Sequence, residues 1–182
     1  MFTLAALTAG AMALATLSWA LEPRGVGTAR APDPDLHPDA VVQVYGADVW
    51  GVRGRFAIHT WIALKPRDAD TYTIYQVIGW RIRRGLPVLS IDEGQPDRPW
   101  FGSEPLLLLD LRGAKADALI DKVDRAARAY PHAWEYTMFP GPNSNSFTAW
   151  VSMEVPELGL ELPFKAIGKG WMYANHSQFG GG

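Results

Sequence analysis

Residues 140–155 read PGPNSNSFTAWVSMEV, and the pattern changes at Asn143. Pro140, Gly141 and Pro142 make a turn. After it, Phe147, Trp150, Val151 and Val155 fall on one face of a 3.6-residue period, so a helix opens here with Asn143 or Ser144 as its cap. Far upstream, residues 56–65 read FAIHTWIALK, a β-rich run that carries His59. A capped helix paired with such strands calls for an α+β fold.

Working outward from those two segments, VVQVYGA near residues 41–47 is a first strand, FAIHTWIALK a second and TYTIYQVIGW, residues 71–80, a third. Short connections between them argue for an antiparallel meander. The loop-rich stretch from Arg81 onward allows a short strand at Pro87 to Ile91, and the continuously apolar PLLLLDLRG, residues 105–113, reads as a buried strand. Residues 114–129 are the clearest helix, with Ala116, Leu119, Ile120, Val123, Ala126, Ala127 and Tyr130 on one face. Residues 134–139, WEYTMF, are expected to be extended. The last stretch, broken by proline and glycine, is expected to wrap the domain and fray after Tyr173. The expected architecture is a mostly antiparallel sheet with two helices, in one globular domain over residues 40–173 and a flexible tail over 174–182.

The chain has 182 residues, a net charge of -2 and no cysteine. That charge, with no basic stripe, argues against a nucleic-acid partner. The lack of cysteine removes thiolate mechanisms and Cys-containing zinc sites. His37, His59, His132 and His176 are not spaced as metal pairs on one element, so neither a metal nor another cofactor is expected. Residues 1–21 are uncharged, and at ~1.5 Å per residue a helix of that length reaches about 30 Å, one hydrocarbon thickness. They read as a membrane anchor or a signal segment, followed by a Pro/Gly-rich linker over 22–39. The expected address is the cell inner membrane, with the domain facing the periplasm or cell exterior.

Two chemical readings attach to the capped helix. Ser144 at a helix N-terminus is placed to act as a nucleophile, with His59 as base, Gln76 on the next strand orienting the imidazole, and Asn143 or Asn145 helping to hold an oxyanion. The plainer reading is that Asn143 and Ser144 cap a helix and His59 is a satisfied half-buried histidine. Trp61 and Trp80 flank the strand residues and would line a substrate groove. Arg81, Arg83 and Arg84 form a basic turn that would suit an anionic group if it lay beside the site.

Between Val41 and about Lys169 the chain resembles a bacterial family labelled only as a domain of unknown function. The resemblance rests on His59-Thr60-Trp61-Ile62, Ile78-Gly79-Trp80, the block Gly141 to Phe147, and Ala166-Ile167-Gly168-Lys169. More distantly, a strand histidine followed by a helix opening N-S-x-x-F is similar to the circularly permuted branch of the papain-like NlpC peptidases and lecithin:retinol acyltransferase-type enzymes. In that branch a cysteine occupies the position of Ser144. This second resemblance implies a permuted papain-like core. It also implies either a serine-variant hydrolase or acyltransferase acting on an amide or ester, from peptidoglycan peptide or lipid, or a former enzyme kept as an envelope binding module. A serine hydroxyl does not ionise near neutrality, so the first option depends on a well-oriented base.

Overall fold

A computed structural model of the protein describes residues 30–178. The expected anchor or signal segment at 1–21, the linker up to residue 29 and the end of the tail lie outside the described residues. No helix among the described residues is long and apolar enough to cross a membrane.

The fold is α+β. Five strands, β1 (Val41–Asp48), β2 (Ile58–Lys65), β3 (Tyr72–Val77), β4 (Leu89–Gly94) and β5 (Leu106–Arg112), form one sheet in the order β4-β3-β2-β1-β5. Every pairing is antiparallel. Among the described residues three α-helices follow, α1 (Ala114–Arg128), α2 (Ser144–Glu154) and α3 (Lys169–Asn175). The expected meander of β1 to β3 is present, and α1 buries Ala116, Leu119, Ile120, Val123, Ala126 and Ala127 as its period requires.

Alternation along the central strands separates two layers of core. Val42 and Val44 of β1, Ile58, Ile62 and Leu64 of β2, and Tyr75 and Val77 of β3 join α1 and α2 in the larger one. Tyr45, Trp61, Ala63, Tyr72, Ile74 and Trp100 form the smaller one on the opposite side. It is covered by the loop between β4 and β5 and by the start of the described chain. There Asp97 accepts hydrogen bonds from the Arg30 and Ala31 amides, and Tyr72 donates to the Pro32 carbonyl. These last residues of the expected linker are therefore packed against the domain.

Three further expectations are corrected. The apolar run 105–113 contains an edge strand, with Leu106 51% exposed and Leu111 the only buried leucine, because it pairs with β1 alone. Residues 134–139 join no sheet: Trp134 closes a turn, 135–137 have no regular secondary structure and 138–139 are bends. The chain after Gly168 forms α3, anchored by buried Met172, instead of fraying at Tyr173. His176 then meets Glu154 at 2.7 Å, so the segment from residue 174 through Gln178 is folded back on α2.

Candidate ligand-binding site

At the start of α2 the block that looked catalytic is consumed by structure. Asn143 is the cap: its Oδ1 accepts from the Asn145 and Ser146 amides at 3.0 and 3.2 Å. Its Nδ2 donates to the Met138 and Ile167 carbonyls at 3.0 and 3.1 Å. Asn145 Nδ2 donates to the carbonyls of Ile58 and Ile167 at 3.0 and 2.8 Å, and its Oδ1 accepts from Thr60 Oγ1 at 3.0 Å. Ser146 Oγ donates to the Gly168 carbonyl at 2.8 Å. Two asparagines and a serine thus tie the helix to β2 and to the 166–169 segment, and each amide NH2 is saturated. Two of the N–H groups at the helix start, those of Asn145 and Ser146, are already held by Asn143, and the side-chain amides of Asn143 and Asn145 that would have helped an oxyanion are spent on carbonyls. Gly168 makes room for this lock, since at φ +106° a Cβ there would lie 2.4 Å from Asn143 Oδ1.

The alternation of β2 sends Thr60 towards α2 and His59 to the other side of the sheet. Ser144 is buried, its carbonyl accepts from Thr60 and Thr148, and its hydroxyl makes no hydrogen bond among the described residues. No hydrogen bond joins it to His59. The expected nucleophile–base contact is not formed, and Ser144, Asn143 and Asn145 stand in one environment while His59, Gln76, Trp61 and Trp80 stand in another.

That second environment is a stack of rings. The His59 imidazole lies parallel to Trp100 with centroids 3.9 Å apart, and Trp61 lies 5.8 Å from it. Trp80 stacks on the Trp100 indole at 5.9 Å, and Phe101 stands edge-on to both indoles at 5.7 and 5.1 Å. Trp61 fixes its ring by donating from Nε1 to the Pro96 carbonyl at 2.8 Å. Gly79 sets the Ile78-Gly79-Trp80 corner beneath the Tyr136 ring, where a Cβ would come within 2.5 Å of that ring. Trp80 and Phe101, about two-fifths exposed, are the open end of the stack.

Gln76 meets His59 as the sequence suggested: the ring Nε2 lies 3.4 Å from Gln76 Oε1. With a carbonyl oxygen as partner, Nε2 carries the proton and donates. Burial lowers the His59 pKa to about 4, with the Gln76 hydrogen bond acting in the opposite direction, so the imidazole is neutral at pH 7. A base so weak is poorly matched to general-base work near neutrality. Beside it lies a small cleft walled by Trp61, Ile74, Gln76, Pro96, Arg98 and Trp100, whose free space of about 20 Å³ takes one or two water-sized groups. Of its lining residues, Gln76 Nε2 and Arg98 Nε are buried without a hydrogen-bond partner among the described residues. The basic turn residue Arg81 is occupied by its own loop, donating from Nε to the Pro87 carbonyl at 2.8 Å.

A family model described as protein of unknown function (DUF3750) matches residues 39–171, nearly all of the described domain. The chain belongs to that family. Comparison with the curated proteins and with the solved structures gives no match. All four sequence blocks that carried the resemblance lie within the matched span, and each has a structural task in this member: Thr60, Asn143, Asn145 and Gly168 in the helix lock, and His59, Trp61 and Trp80 in the ring stack. The sequence reading missed Arg98, Trp100 and Phe101, which sit in the 95–104 loop. Two adjacent aromatic residues in so polar a loop, QPDRPWFGSE, were the available signal.

Proposed function

We propose that the domain is a non-catalytic binding module that holds its ligand on the Trp80–Phe101 end of the ring stack. The observation that carries this reading is the contrast between a neutral, buried His59 bonded to Gln76 and a Ser144 hydroxyl with no hydrogen bond to it. A hydrolase needs the two joined. Exposed indole and phenyl faces next to a polar cleft are what a ligand site needs instead. Set beside the permuted papain-like layout that the sequence resembles, the proposed module has a strand histidine on the far side of the sheet from the capped helix and no thiol for the chemistry. The address that accompanies the proposal is the cell envelope, with attachment to the inner membrane through residues 1–21 and a peptidoglycan peptide or lipid as ligand source.

Co-sedimentation with isolated bacterial cell envelopes tests it. Binding should fall at least tenfold in a Trp80→Ala, Phe101→Ala double variant and stay unchanged in Ser144→Ala. Labelling of the parent by a fluorophosphonate, abolished by Ser144→Ala, would instead restore the serine hydrolase or acyltransferase.

A further inference from the structure

Two side chains that line the cleft, Gln76 and Arg98, each carry a buried N–H donor with no acceptor among the described residues, and their surroundings define the chemistry of what they take. Gln76 is 2% exposed and its Oε1 is engaged by His59, so its NH2 group is the part left to the cleft. Arg98 brings a second donor, Nε, and has no ion-pair partner among the described residues. An unmet buried donor destabilises the folded state, because its hydration is lost and nothing replaces it. Two of them lining one small space are costly to the folded state unless an acceptor enters.

The charges nearby say which acceptor. On the same face of the sheet, Asp92 on β4 lies beside Ile74 in the strand register and accepts from Ser90 Oγ at 2.7 Å. Asp97 precedes Arg98 and accepts from the Gln95 side chain at 2.8 Å as well as from the Arg30 and Ala31 amides. Two carboxylates against one guanidinium disfavour a further anion, whereas a neutral carbonyl oxygen accepts from both donors without that repulsion. The cleft admits only a small group, so the body of a ligand must lie outside it; Trp100, which lines the cleft, carries the exposed rings of Trp80 and Phe101 at centroid distances of 5.9 and 5.1 Å.

We infer that this cleft is an acceptor subsite for a neutral amide carbonyl, the acetamido group of an amino sugar or the amide of a short peptide, gripped by Gln76 Nε2 and Arg98 Nε while the rest of the ligand rests on Trp80 and Phe101. The inference builds on the binding-module reading and names the group that the module recognises.

The test uses the full chain labelled with ¹⁵N and follows the tryptophan indole signals during titration. The probes are di-N-acetylchitobiose and acetyl-alanyl-alanine amide, with cellobiose and sodium acetate as controls that lack the amide or carry charge. At least one amide probe should bind saturably, shift the Trp61 and Trp80 indole signals, and bind at least tenfold more tightly than either control. Which of the two binds identifies the source. Gln76→Met and Arg98→Met should each weaken that binding at least tenfold, and imidazole ¹⁵N shifts should show His59 protonated at Nε2, a readout that needs no variant to fold. Equal binding of cellobiose or acetate, no binding of either amide probe, or His59 protonated at Nδ1, which would turn the Gln76 carbonyl into the cleft, each overturns the inference. Envelope binding that is lost on removing Trp80 and Phe101 yet kept in both methionine variants would sink the subsite and leave the binding module standing.

Discussion

The two sides of the central sheet use polar residues in opposite ways. Under the helices, Thr60, Asn143, Asn145 and Ser146 are buried and matched to partners, most of them backbone carbonyls and amides. Across the sheet, Gln76 and Arg98 are left with bare donors beside rings that reach solvent. A buried polar group whose bonds are all made stabilises one geometry, and a buried donor with none is costly unless a ligand or water completes it. The block that looked most like an active site is therefore tied up in structural bonds, and the proposed binding site is on the face with unmet ones.

The largest expected effect breaks the ring stack. Trp100 is 8% exposed and touches His59, Trp61, Trp80 and Phe101, so Trp100→Ala should lower stability by about 4 kcal/mol in urea titration, in the range for buried Trp→Ala. A loss under about 1 kcal/mol would mean that the loop is not packed on the sheet as described.

Acid should act on the same face through His59. Its folded pKa of about 4 lies below the ordinary 6.5, so between those values the unfolded chain binds a proton that the folded chain refuses. Stability on this account is complete above pH 6.5, falls as pH drops towards 4, and has then lost about 3 kcal/mol, from ~1.4 kcal/mol per pH unit. Comparison of His59→Gln with the parent at pH 7 and pH 4.5 isolates this part, and a parent as steep as the variant over that window would place the acid sensitivity elsewhere.

On the helix side, Asn143→Ala removes a cap, takes the donor from the Met138 carbonyl and leaves the Ile167 carbonyl with Asn145 alone, for an expected loss of about 2 kcal/mol. Asn143→Asp keeps the capping oxygen and should recover part of that loss. The smallest effect sharpens the contrast most: Ser144→Ala should change stability by no more than about 0.5 kcal/mol, since the hydroxyl makes no hydrogen bond among the described residues. A loss near 2 kcal/mol would show that the serine is tied into the lock after all.

Periodicity alone determined the α+β class, the first three strands, α1 with its buried face, and a helix opening at Asn143, because these depend on spacing within a few residues. Local pattern put His59 and Gln76 on neighbouring strands of the meander and left open whether they share a face; the register sets Gln76 opposite Trp61, diagonal to His59. Local pattern did not reveal that PLLLLDLRG lies at an edge, because an apolar run reads alike whether one neighbour covers it or two. Nor did it reveal α3, a short helix held by the burial of Met172 rather than by a strong period of its own. Which face His59 takes, and so which residues it can act with, was beyond the sequence: a shift of one residue in the alternation exchanges the helix side for the ring side. Only the tertiary structure decided that, and with it the meeting of Arg98 and Trp100 from a distant loop with Gln76, because such contacts follow from where loops return to the sheet and leave no trace in local spacing.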